Sequence, residues 1–157
     1  MTNLSIVHFT QNSFLLFNGL LASVFFLIDE PMHAKRGLSD WEKTSHIIDA
    51  LCTSSTYAIG YFALKTNLPA LFWLYCVFAL ITICVSFKDE WIHARECPPE
   101  EHFVHAFMFA SNGICYILGA FIILLKLSSW LFAFGACFGI LTALWQFVFW
   151  FFLYKKP

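Results

Sequence analysis

The sequence predicts an all-α integral membrane protein of five transmembrane helices, and three observations predict it. Charged residues make up only 12% of the 157, about half the share usual in a soluble domain. The apolar residues gather into runs near the roughly 20 that a bilayer-spanning helix needs. All ten Asp and Glu residues fall in two stretches, 29–49 and 89–101, that separate those runs. The length suits one domain, residues 1–157. A net charge of −1 without a basic patch excludes a nucleic-acid partner.

The first run, SFLLFNGLLASVFFLI (13–28), is short and extendable towards the N-terminus. No basic residues precede it and no convincing cleavage site follows, so it reads as a span rather than a removed signal peptide. The second, 47–64, is more polar. The third, PALFWLYCVFALITICVSF (69–87), is clear, and the fourth, 103–125, is clear apart from His105. The fifth, 130–154, is the longest. Five of the six cysteines (Cys52, Cys76, Cys84, Cys115 and Cys137) lie within these runs, where a thiol behaves as a small hydrophobe. No CxxC occurs, and Cys97, in a polar connection, reads as a bystander. Ser39 with Glu42 forms an S-x-x-E capping box before helix 2. Pro98-Pro99 followed by Glu100 and Glu101 reads as the start of helix 4.

Basic residues set the expected orientation. One side carries Lys35, Arg36, Lys43, Lys88, Arg95, Lys155 and Lys156; the other carries Lys65 and Lys126. The positive-inside rule then places the N-terminus outside, and the C-terminus and both polar connections in the cytoplasm.

The two acidic stretches repeat one another. DEPMHAK (29–35) matches DEWIHAR (89–95), and HIIDA (46–50) matches HFVHA (102–106). Each copy is a helical hairpin, with repeat 1 at 12–66 and repeat 2 at 69–126. The two are parallel and related by a pseudo-twofold axis along the membrane normal. Helix 5 (128–154) stands outside the repeat.

Helical spacing puts Glu30 with His33, Glu90 with His93, His46 with Asp49, and His102 with His105, each pair at i and i+3 on one face. Asp29, at i and i+4 from His33, is an alternative partner that orients the ring. Pro31 disfavours helix at Glu30, so we expect a kink or a new helical segment there. These eight side chains form a nitrogen-rich set suited to two transition-metal ions, iron first and zinc second. Carboxylates nearby (Asp40, Glu42, Glu96, Glu100, Glu101) would add bridging or orienting partners. Asn18, Thr56, Asn112 and Gln146 lie within the spans and are expected to line a substrate slot leading from the site into the membrane.

Over 29–49 and 89–105 the pattern is similar in kind to the integral-membrane non-haem di-metal enzymes, the lipid hydroxylases and desaturases. It lacks their HxxxH, HxxHH and HDxxH boxes. The resemblance implies a di-iron oxidoreductase acting on a lipid or other hydrophobic substrate, with a partner protein as electron donor. A zinc hydrolase with the same ligands, and Glu101 or Glu42 as catalytic base, is the second expectation. A transition-metal transporter or binding protein is the third.

Overall fold

Apolar runs bounded by Pro, Gly and charged residues fold as five helices: α1 (Asn3–Arg36), α2 (Asp40–Thr66), α3 (Pro69–Glu96), α4 (Pro99–Leu124) and α5 (Leu131–Val148). A π-helical turn, Phe149–Leu153, continues α5. The computed structural model describes residues 3–127 and 129–154. The side chains at 3–5, 7, 8, 89, 92, 93 and 96 lie outside that description. All five helices are long and apolar enough to cross a membrane. Their outward faces carry exposed Phe17, Leu27, Leu80, Leu124, Leu141 and Phe152, a surface unsuited to water.

The helices overrun the apolar runs, and the overrun carries the polar motifs. α1 continues to Arg36 rather than stopping near 28, passing through Pro31 without a break. The expected new segment at Pro31 does not form. Proline removes one intrahelical bond, to the carbonyl four residues back. Contacts beyond it hold the helix on course: His33 and Arg36 face Glu101 of α4, and Tyr154 Oη donates to the Ala34 carbonyl at 3.0 Å.

The turns are short and locally specified. Gly37 at φ 79° ends α1, donating its N–H to the His33 carbonyl at 2.7 Å. Ser39 and Glu42 close the anticipated capping box on α2. Asn67, left-handed at φ 53°, ends α2, and Pro69 begins α3. Pro99 occupies the first turn of α4. Consecutive helices are therefore antiparallel. One end of the bundle, the polar end, holds the 37–39 and 97–98 connections. The other, the far end, holds the 67–68 and 125–130 connections.

Around the bundle, α1 packs on α4, α4 on α3, α3 on α2 and α2 on α5, and α5 returns to α1 along a thin edge. Helices 1 and 2, expected to form a packed hairpin, share no extended packing; α2 packs on α5 and α3 instead. Glycine permits this. A Cβ at Gly135 would sit 2.8 Å from the Tyr57 ring, and one at Gly139 would sit 3.0 Å from Ser54 backbone. Ser54 Oγ donates to the Ala136 carbonyl at 2.7 Å across the same seam.

The far half is filled by Tyr57, Tyr75, Tyr116, Phe132, Cys115 and Ile122. Tyr75 and Phe132 are fully buried. Their rings lie over Gly60 and Gly119, where an added Cβ would come within 2.2 Å of Phe132 and of the Tyr75 hydroxyl respectively. Tyr75 donates that hydroxyl to the Tyr116 carbonyl at 2.9 Å.

Candidate functional site

The polar end of the bundle gathers histidine and carboxylate from four helices. His33 comes from the last turn of α1, His46 from the second turn of α2, and His105 from the second turn of α4. Their rings form a row, with centroids 4.8 Å apart for His33 and His46, and 6.2 Å for His46 and His105. All three are buried.

Carboxylates flank the row. Asp29 Oδ2 lies 3.4 Å from His33 Nδ1, and Glu101 Oε1 lies 3.3 Å from His33 Nε2. His33 is thus held between two carboxylates that are each only 2% exposed. Glu90 of α3 contacts His105 Nδ1 with one oxygen, and its other oxygen lies 3.8 Å from His102 Nδ1. Asp49 accepts from Ser86 Oγ at 2.6 Å, and Ser45 Oγ accepts from Lys88 Nζ at 2.8 Å. Arg36 clamps the first half, donating to Glu42 Oε1 at 2.8 Å and to Glu101 Oε1 at 3.1 Å.

Of the expected ligands, His33, His46, His105 and Glu90 come together, with Asp49 at the edge of the row and His102 part-exposed. His93 lies outside the described side chains, as do Asp89 and Glu96. Glu30 points elsewhere: its Oε1 accepts from Gln146 Nε2 of α5 at 3.0 Å. Asp29, the alternative partner, faces His33. Residues 29 and 30 are 100° apart on a helix, so only one can face α4. Glu42 is engaged at both oxygens, by Arg36 and by the Ser39 N–H at 2.8 Å; it caps a helix rather than standing free as a base. Glu101 holds His33 and Arg36 with a single oxygen, Oε1. Burial pushes the Cys97 thiol up to about 12, which keeps it protonated at neutral pH and poorly nucleophilic.

A cavity of about 320 Å³ runs along the seam between α1 and α5 and reaches this cluster. Gly19, Ala22 and Phe26 line it from α1, Gly135 and Thr142 from α5, and His46 and Asp49 close its polar end. Asn112 and Gln146, two of the residues expected along a substrate slot, line this cavity. Thr56 does not: it bonds Thr82 of α3 at 3.0 Å inside the bundle. Asn18 donates instead to the Phe14 carbonyl of its own helix at 2.9 Å. Hydropathy gave no sign of Arg36 as a clamp or of Gly19 as a slot wall. The one available hint was the run of small residues, Gly19, Ala22 and Ser23, on α1.

Among the described residues, no three His, Cys, Asp or Glu side chains form a group ready to hold a metal ion. The donors are engaged in imidazole–carboxylate pairs. Their chemistry nevertheless fits divalent metal. Five carboxylates of the cluster (Asp29, Glu42, Asp49, Glu90, Glu101) share it with two fixed cations, Arg36 and Lys88, and Asp29 Oδ1 is buried without a hydrogen-bond partner. Buried charge must be matched. Two imidazolium charges 4.8 Å apart would repel by about 3 kcal/mol at an effective dielectric of 20, which disfavours meeting the excess by protonating adjacent rings. Nitrogen and oxygen donors of the kind divalent metals take lie in the same cluster.

Comparison with known protein families, with curated proteins and with solved structures found no match.

Proposed function

We propose that the chain is a membrane-embedded metalloenzyme that oxidises a hydrophobic substrate delivered through the α1–α5 slot. The single observation that carries this reading is the row of three buried imidazoles from three helices, flanked by carboxylates and opening onto a cavity between apolar helices. In this reading the five helices span a bilayer, with the polar end in the cytoplasm and the N-terminus outside, as the seven-to-two distribution of Lys and Arg supports. The two motif copies are parallel hairpin repeats, and α5 has opened the first of them.

His33, His46, His105, Glu90, Glu101 and Asp49 would hold two metal ions, iron in preference to zinc, exchanging their mutual pairs for metal bonds. His102 and His93 are the further candidates. Asp29 would orient His33 through Nδ1, the usual service of a carboxylate behind a metal-bound imidazole. Arg36 would keep Glu101 and Glu42 ionised and in place. The metal would supply O₂ activation. The overall reaction balances as one C–H bond and O₂, with two electrons from a donor protein and two protons, giving C–OH and water. The apolar walls of the slot would keep bulk water from the reacting carbon.

A transporter is less well supported, because the polar cluster lies at one end of the bundle, whereas transporters hold their cargo near the midplane. A zinc hydrolase would use the same ligands, and metal identity separates it. The test is elemental analysis of the purified chain after loading with iron or zinc. The expected content is about two irons per chain, as in di-iron helical bundles. Less than about half an equivalent of any transition metal would overturn the proposal, and zinc retained over iron would turn it to hydrolysis.

A further inference from the structure

The far end of the bundle has the opposite chemistry to the polar end. No acid lies there, since all ten fall within 29–49 and 89–101. Its two cations, Lys65 and Lys126, therefore have no carboxylate in the chain to neutralise them nearby. Both line one cavity of about 920 Å³, formed by the start of α1, the end of α2 and the α4–α5 connection. Tyr61, Asn67 and Trp130 share the lining, as does Ser129, whose hydroxyl is buried without a hydrogen-bond partner. Lys126 is held left-handed at φ 53°, a conformation that L side chains adopt at a cost and that clusters at ligand clamps. Leu16 and Leu131 line both this cavity and the slot, so the two are neighbours along the α1–α5 seam.

We propose that the far-end cavity binds the phosphate headgroup of an anionic membrane lipid, with one acyl chain lying in the slot towards His46 and Asp49. Two lysines supply charge, and the Ser129 hydroxyl and Asn67 amide supply hydrogen bonds to phosphate oxygens. Trp130 is exposed at the start of α5, the interfacial position that indole favours. From Leu131 to Gln146 the slot follows α5 for about 22 Å at 1.5 Å per residue, most of a hydrocarbon core about 30 Å thick. Only a long, extended chain anchored at the far end reaches the imidazoles, and it meets them far from its headgroup. That this chain is the substrate rests on the function proposed above; headgroup binding does not.

The full chain is reconstituted in nanodiscs of equal phosphatidylcholine and phosphatidylglycerol, extracted in detergent, and its retained lipid counted by native mass spectrometry. Phosphatidylglycerol is expected to be retained over phosphatidylcholine by about tenfold, the effect of one charge-assisted contact. The double variant Lys65→Gln/Lys126→Gln is expected to lose that preference. Its metal content and helical circular dichroism should stay unchanged, as both lysines are exposed. Ser129→Ala should weaken the preference partially. Excess inorganic phosphate should leave the lipid bound, because the chain contributes to binding. Equal retention of the two lipids, an unaltered preference in the double variant, or complete displacement by inorganic phosphate would each overturn the proposal. Absence of metal alongside an intact lipid preference would sink the enzyme reading alone.

Discussion

Glu30 and Glu90 hold the same place in the two copies of the motif, yet they do different things. Glu90 turns across its own hairpin and contacts His105 and His102 of α4. Glu30 turns out of the row and bonds Gln146 of α5. The α2 residues at the corresponding places are engaged otherwise: the His46 ring lies tilted against His33, and Asp49 accepts from Ser86. The difference goes with the packing: α5 lies along α2, and α1 lies along α4. In the second motif the carboxylate and the histidines pair across one hairpin; in the first, α1 and α2 share no extended packing, and the slot lies along the α1–α5 seam. On the proposed function, the second half chiefly holds metal and the first, opened half admits substrate.

The sharpest way to break this comparison is to neutralise the two glutamates in turn. Glu90→Gln should weaken metal binding by about 100-fold or more, measured by competition with a chelator, because it removes charge and His105's partner together. Glu30→Gln should change affinity by less than about threefold. Equal losses would mean that the halves are functionally alike. Asp29→Asn comes next. It should cost about 10- to 100-fold in affinity, the usual loss when the group orienting a ligand is removed, and an unchanged value would show Asp29 to be structural. Gly19→Leu probes the opened half alone. A Cβ at Gly19 meets nothing within 4 Å, so the larger side chain should fill the slot without disturbing the helices. Turnover of a long-chain substrate should fall about tenfold, with metal content and melting temperature unaltered; undiminished turnover would place the substrate path elsewhere. The smallest effect compares the two helix starts. Ser39→Ala removes the capping box of α2 and should cost about 1 kcal/mol in detergent unfolding. Pro98→Ala, at a start with no side-chain cap, should cost less.

Much of this was legible in the chain. Five apolar runs near spanning length could form little other than five helices, and the capping box and Pro98-Pro99 marked two helix starts to the residue. The helix ends were less legible. Residues 29–36 are charged and interrupted by Pro31, so hydropathy assigns them to a connection; contacts to α4 and to Tyr154 make them helix. Spacing brought His33, His46, His105 and Glu90 to facing surfaces. It could not choose between Asp29 and Glu30, because that choice depends on how α1 is rotated about its axis, which α4 and α5 decide. The slot was legible only as polar residues within the spans. Asn112 and Gln146 line it; Thr56 and Asn18 satisfy their hydrogen bonds within the helices, as buried hydroxyls and amides in apolar surroundings must.

The aromatic packing of the far half has a mechanical consequence. Phe132 of α5 sits over Gly60 of α2, and the Tyr75 hydroxyl of α3 sits over Gly119 of α4, each at a distance where one added methyl group would collide. The spacing of both helix pairs is therefore gauged by rings with little room to give, and a single carbon added at either glycine would be read out as a change in helix spacing.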